Sequence, residues 1–104
     1  MKIEQGESSL ISSSTSISDL FFTEYLSQAN GDFVKVYMYL YFISKYNNDL
    51  KINDLAKKLE LPLKTIQDAL KYWEEQGVLI KKNKVYELAD LKKIEIDKLY
   101  KPKL

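Results

Sequence analysis

The run Leu55–Ile80, LAKKLELPLKTIQDALKYWEEQGVLI, constrains this chain more than any other stretch. Leu55, Ala56 and Leu59 share one face of a short helix, and Asn53 just before it is placed to cap the free amides of the first turn. Leu61-Pro62 ends that helix, because the residue before proline is pushed out of the helical region. Pro62 then suits the first turn of a second helix, where no amide partner is needed. In that helix Ile66, Ala69, Leu70 and Trp73 fall at i, i+3, i+4 and i+7, the spacing of a buried stripe. Ala56 and Ala69 are small enough to let the two helices cross closely. Gly77 follows where a left-handed residue commonly closes a helix. Val78-Leu79-Ile80, Lys82-Asn83-Lys84 and Val85-Tyr86-Glu87-Leu88 then read as strand, turn and strand.

This order predicts an α+β, mostly α fold: a winged helix-turn-helix with an extra N-terminal arm and helix and a C-terminal extension. With 104 residues and 45% hydrophobic content the chain has room for one real core. Residues 1–18 are serine-rich and read either as a disordered leader or as an extended arm, in which Leu10, Ile11 and Ile17 interrupt the polar run and offer docking points. Residues 19–90 form the winged-helix domain, and 91–104 a C-terminal helix or linker. Ser18 or Asp19 can cap a helix holding Leu20, Phe21, Phe22, Tyr25 and Leu26; Asn30-Gly31 ends it, and Asp32 can cap the next. Leu50-Lys51-Ile52 is expected to form a short strand against the hairpin. Residues 90–100 fit a helix through Leu91, Ile94 and Leu99, but also alternate like a strand at Ile94 and Ile96.

The expected helix from about Phe33 to Tyr46 is apolar nearly all round. Between Phe33 and Ile43 only Lys35 is charged. Such a helix must be buried on every side. Either the N-terminal helix and the wing cover it, or part of its face is a subunit interface. Tyrosine, with an apolar ring and a polar tip, suits an interface. Leu10, Ile11, Phe22, Tyr37 and Tyr41 are the candidate oligomer contacts.

The composition narrows the chemistry. Cysteine and histidine are both absent, which removes disulfides, thiolate metal sites and the usual acid–base group near neutral pH. No Gly-rich phosphate loop or nucleophile elbow occurs; no enzyme activity, cofactor or metal is expected. No apolar run reaches the roughly 18 residues needed to span a bilayer, and no signal peptide is visible, so the expectation is a cytoplasmic protein. Net charge is +1, which gives no global basic field for nucleic acid. All the basic residues are lysines; arginine, the usual bidentate reader of guanine, is missing. The candidate surface for nucleic acid or a partner is Leu63, Lys64, Gln67 and Lys71 on the second helix, with Lys81, Lys82 and Lys84 on the wing. Lys64 and Lys71 stand against Asp68, Glu74 and Glu75, so that helix is net −1 and a poor groove binder.

The segment FFTEYLSQANGDFVKVYMYLYF, followed by a core ending WEEQGVLIKKNKVYEL, resembles the N-terminal domain of DnaD-like primosomal proteins, bacterial replication-initiation proteins related to phage replisome organisers. The resemblance spans about residues 10–100, and NGDFVKVY is its most specific part. It implies a winged helix with added elements at both ends that form dimers or higher oligomers. It also implies a wing and recognition-helix surface that contacts replication-initiation proteins such as a DnaA-like initiator. The family's second domain carries a YxxxIxxxW motif for DNA; these residues contain none, so DNA binding is expected to be weak. The function expected is an oligomerising scaffold domain in primosome assembly. The alternative is a sequence-specific winged-helix transcriptional regulator, motivated by the helix-turn-helix and Lys81-Lys82-Asn83-Lys84.

Overall fold

The computed structural model of the chain describes residues 2–4, 14–46, 49–83, 85–91, 93 and 94. Within them the fold is α+β and mostly helical. β1 (Lys2–Glu4) is followed by a π-helical segment, Phe21–Tyr25, then α1 (Gly31–Ser44), α2 (Ile52–Leu59) and α3 (Leu63–Glu75), and last by β2 (Leu79–Lys82) and β3 (Val85–Leu88). The strands lie in the order β1-β3-β2. β2 runs antiparallel to β3, pairing Leu79 with Leu88 and Lys82 with Val85. β1 runs parallel to β3, pairing Ile3 with Tyr86. No described helix is long and apolar enough to cross a membrane.

Local chemistry sets the helix ends. The Ser18 hydroxyl accepts from the Leu20 amide at 3.3 Å, ahead of the π-helical segment. Asn30, not Asp32, caps α1: its side-chain oxygen accepts from the Asp32 amide at 2.8 Å. α2 starts at Ile52, so Asn53 lies inside its first turn and the cap position falls to Lys51, whose side chain makes no capping bond. The strand expected at residues 50–52 does not form, because Ile52 joins that helix and only Asp49 makes a β-bridge. The third strand comes instead from the far N-terminus, where Ile3 is fully buried. Three residues with one apolar side chain carry no period to read.

Left-handed residues close both α2 and α3. Glu60, at φ 56°, closes α2; the Leu61 amide donates to the Ala56 carbonyl and the Glu60 amide to Lys57. The Lys35 ammonium reaches across from α1 to the Leu59 carbonyl at 2.7 Å, satisfying another orphan acceptor of that helix end. Gly77, at φ 76°, closes α3: Val78 donates to Trp73 and Gly77 to Glu74, the paired bonds of a Schellman motif. Asn83, at φ 54°, opens the turn between β2 and β3, a conformation asparagine tolerates better than most residues.

The core is built where α1 crosses α3. Ile66, Ala69, Leu70 and Trp73 of α3 are all buried, as their spacing predicts. α1 contributes Val36, Tyr37, Leu40 and Ile43. Phe21 stacks on Tyr37 with ring centroids 4.3 Å apart. Trp73 closes the cluster, 5.3 Å from Tyr37 and 5.7 Å from Phe21. Its indole N–H donates to the Phe33 carbonyl at 2.8 Å, tying α3 to the first turn of α1. Tyr37 is therefore not a subunit contact as its residue type suggested. It is 1% exposed within a single chain. Beyond β3, Leu91 is buried, and Asp90 starts a helical turn by accepting from the Lys93 and Ile94 amides.

Candidate interaction surface

α1 has two different faces. Its inner face is the core just described. Its outer face presents Met38 and Phe42, and Tyr46 follows in the turn just past its end; the three are 46%, 41% and 49% exposed. Met38 and Phe42 stand at i and i+4, one above the other along the helix surface. The rings of Phe42 and Tyr46 lie 5.6 Å apart, and half-buried Tyr39 sits 5.8 Å from Phe42. The one charged residue of the helix interior, Lys35, has its ammonium at the end of α2, so this ridge is apolar along its length. Phe22 and Leu26 of the segment before α1 are also exposed apolar side chains. Tyr41, expected at the interface, is half-buried and packs toward Tyr37. Leu10 and Ile11 lie outside the described residues.

The outward face of α3 exposes Leu63, Lys64, Gln67 and Lys71, as expected for a presented helix. Lys64 faces Asp68 one turn on, at 3.7 Å. On the hairpin, Lys82 pairs with Glu87 at 3.0 Å, and the Lys81 ammonium lies 5.7 Å from the Tyr86 ring centre. Lys71 has no ion-pair partner among the described residues, and Lys84 lies outside them. Exposed pairs of this kind are weak and open readily. The balance of charge therefore decides what the helix attracts, and that balance is slightly acidic. A phosphate backbone gains affinity by releasing counterions to a cationic surface, and α3 offers no such surplus.

Lys45 carries a role that residue type did not announce. It follows α1 and is only 3% exposed. Its ammonium donates to the Ser14 carbonyl at 2.6 Å and to Thr15 Oγ1 at 3.0 Å. It also lies 5.8 Å and 6.0 Å from the ring centres of Phe42 and Tyr46. A cation suits this position, where the last helix carbonyls carry partial negative charge. The contact pins residues 14 and 15 to the end of α1 beside the exposed ridge. The sequence signal for the ridge was its fourfold spacing, hidden by the apolar residues on every other side. Lys45 gave no signal beyond ending the uncharged run.

Among the described residues, no group of three or more Asp and Glu side chains is placed to hold a metal ion. Among the described residues, the Tyr37 hydroxyl is buried without a hydrogen-bond partner. Burial, aided by Tyr41 and Tyr25 nearby, pushes that phenol well above its ordinary value. It lies in the aromatic core rather than facing an open cleft. No family model matches this chain, and comparison with curated proteins and with solved structures yields no match.

Proposed function

We propose that this chain is an oligomerising scaffold domain of winged-helix type from a DnaD-like bacterial replication-initiation protein. In this reading it works in the cytoplasm, associates with copies of itself and engages partner proteins such as a DnaA-like initiator. The observation that carries it is the exposed apolar ridge of Met38 and Phe42 on α1 and Tyr46 just past its end, a patch of the kind that marks protein contacts. The order α2, turn, α3, hairpin supports the winged-helix assignment. The slightly acidic face of α3 favours a protein partner over a phosphate backbone.

The test is absolute molar mass by light scattering after size exclusion, over a range of concentrations. A dimer or larger species is expected, and Phe42→Lys should reduce it to monomer. A monomer at every concentration up to high micromolar would sink the self-association reading. One observation keeps the regulator reading in play: Gln67 and Lys71 stand exposed on α3. That reading requires Gln67→Ala to change site preference and Lys71→Ala to weaken all duplexes alike. Equal binding of every duplex by the parent chain would remove it.

A further inference from the structure

We propose that Asn30-Gly31 is a self-modification site, at which the chain converts the side-chain amide that caps α1 into a carboxylate, with water as co-reactant. Of the chain's asparagines, Asn30, Asn47, Asn48, Asn53 and Asn83, Asn30 alone is followed by glycine. That neighbour matters because the attacking group is the next residue's backbone nitrogen, and glycine has no side chain to screen it. Both residues are exposed, where the link after the π-helical segment enters α1. Gly31 is the first residue of α1, and the first amides of a helix have no acceptor within it. A methyl group at Gly31 would meet nothing within 4 Å, and its φ is not positive. The fold has no steric need of glycine here, so alanine can replace it as a probe.

The step balances with hydroxide and water alone. Hydroxide takes the Gly31 amide proton, and the nitrogen attacks Asn30 Cγ. A C–N bond forms, the side-chain nitrogen leaves as ammonia, and a succinimide ring results. Water then opens the ring at either of its carbonyls. Opening at Cγ gives aspartate at position 30 in an unaltered main chain. Opening at the main-chain carbonyl gives isoaspartate, whose backbone runs through the former side chain. Attack requires the Asn30 side chain to leave the Asp32 amide, so the reaction starts from a frayed cap, and helix ends do fray.

The two products act oppositely on α1. In the parent chain Asn30 Oδ1 accepts from the Asp32 amide at 2.8 Å, and the Asn30 carbonyl accepts from the Val34 amide at 3.0 Å. Aspartate keeps both acceptors and adds negative charge where a helix N-terminus favours it. Isoaspartate turns the main-chain carbonyl into a carboxylate on a branch and draws the side-chain carbonyl into the backbone. Neither acceptor keeps its place, so the first turn of α1 loses its cap. That turn includes the Phe33 carbonyl, which holds the Trp73 indole N–H. The damage therefore reaches the seam between α1 and α3. Nothing in this chemistry depends on self-association.

The full chain would be incubated at mildly alkaline pH, digested, and mapped by mass spectrometry with fragmentation that separates aspartate from isoaspartate. The expected result is an acid in place of the amide of Asn30, ahead of Asn47, Asn48, Asn53 and Asn83. Both forms should appear, at a rate that rises with hydroxide. Gly31→Ala should slow conversion by roughly an order of magnitude, because the methyl screens the nitrogen. The products would then be separated by ion exchange and unfolded in urea. The isoaspartate form should unfold at lower urea than the parent, and the aspartate form should match the variant Asn30→Asp. The proposal is overturned if the folded chain keeps its amide at Asn30 while the same chain in urea loses it, because the cap would then protect the site. Equal rates in the parent and in Gly31→Ala would also overturn it. An isoaspartate form as stable as the parent would overturn the effect assigned to α1.

Discussion

α1 and α3 are nearly equal in length, 14 and 13 residues, and pack directly against each other, yet they encode their positions in opposite ways. α3 alternates apolar and charged residues with the helical period. Its buried set can be named from spacing alone. α1 is apolar around most of its circumference, so its period is nearly silent, and only packing decides which side is core. A helix of the first kind states its partner and its solvent face together. A helix of the second kind has apolar surface to spare, which a single small domain does not cover.

The largest test of this contrast is at the seam. Trp73→Ala should cost about 3–5 kcal/mol, the range for removing a large buried aromatic, measured by urea unfolding. A loss below ~1 kcal/mol would mean that α3 does not turn this side to α1. Lys45→Met comes next. It keeps the aliphatic stem but removes the ammonium that holds Ser14 and Thr15. The expected loss is about 1.5–3 kcal/mol, as for hydrogen bonds made by a buried charged group. No loss would show that the end of α1 needs no such anchor.

Tyr37→Phe should act in the opposite direction. Its hydroxyl is buried without a partner, so removal should stabilise the fold by about 1–2 kcal/mol. The fold also favours the neutral phenol, because burial raises its pKa above the ordinary value of 10.0. That contribution is whole below pH ~10 and is lost as pH climbs above it. The advantage of the phenylalanine variant should therefore widen in alkali. An unchanged or reduced midpoint would place the hydroxyl in a satisfied site. Phe42→Lys, on the outer face, should shift stability by no more than about 0.5 kcal/mol, as for surface substitutions. If instead it unfolds the chain, α1 has no free face and the contrast with α3 collapses.

The same contrast explains what could be read from the residues. The stripe Ile66, Ala69, Leu70 and Trp73, the turn at Gly77 and the hairpin were all legible, because each rests on local spacing or on a residue with an unusual backbone range. The third strand was not. Leu50-Lys51-Ile52 has the better strand composition, but Ile52 serves α2, and Ile3 reaches β3 from the opposite end of the chain. Long-range pairing of so few residues leaves no local trace. The position of Tyr37 was also hidden: eight tyrosines look alike in sequence, and only the stack on Phe21 separates this core ring from the exposed Tyr46. On the candidate surface, the exposure of Leu63, Lys64, Gln67 and Lys71 followed from the phase of α3. The Lys64–Asp68 spacing was also visible, but no pattern pointed to Lys45 binding the backbone at residue 14.

Trp73 is the chain's single tryptophan, and it sits where both helices meet with its indole N–H held by α1. The seam between α1 and α3 thus carries its own optical reporter. Separation of the helices would move this indole from an apolar, hydrogen-bonded pocket into water and shift its emission to the red. Tyrosine-to-tryptophan energy transfer from Tyr37 on α1, whose ring centre lies 5.3 Å from that of Trp73, would fall at the same time. Opening of the core can therefore be followed in the unlabelled protein, separately from any association at the outer face.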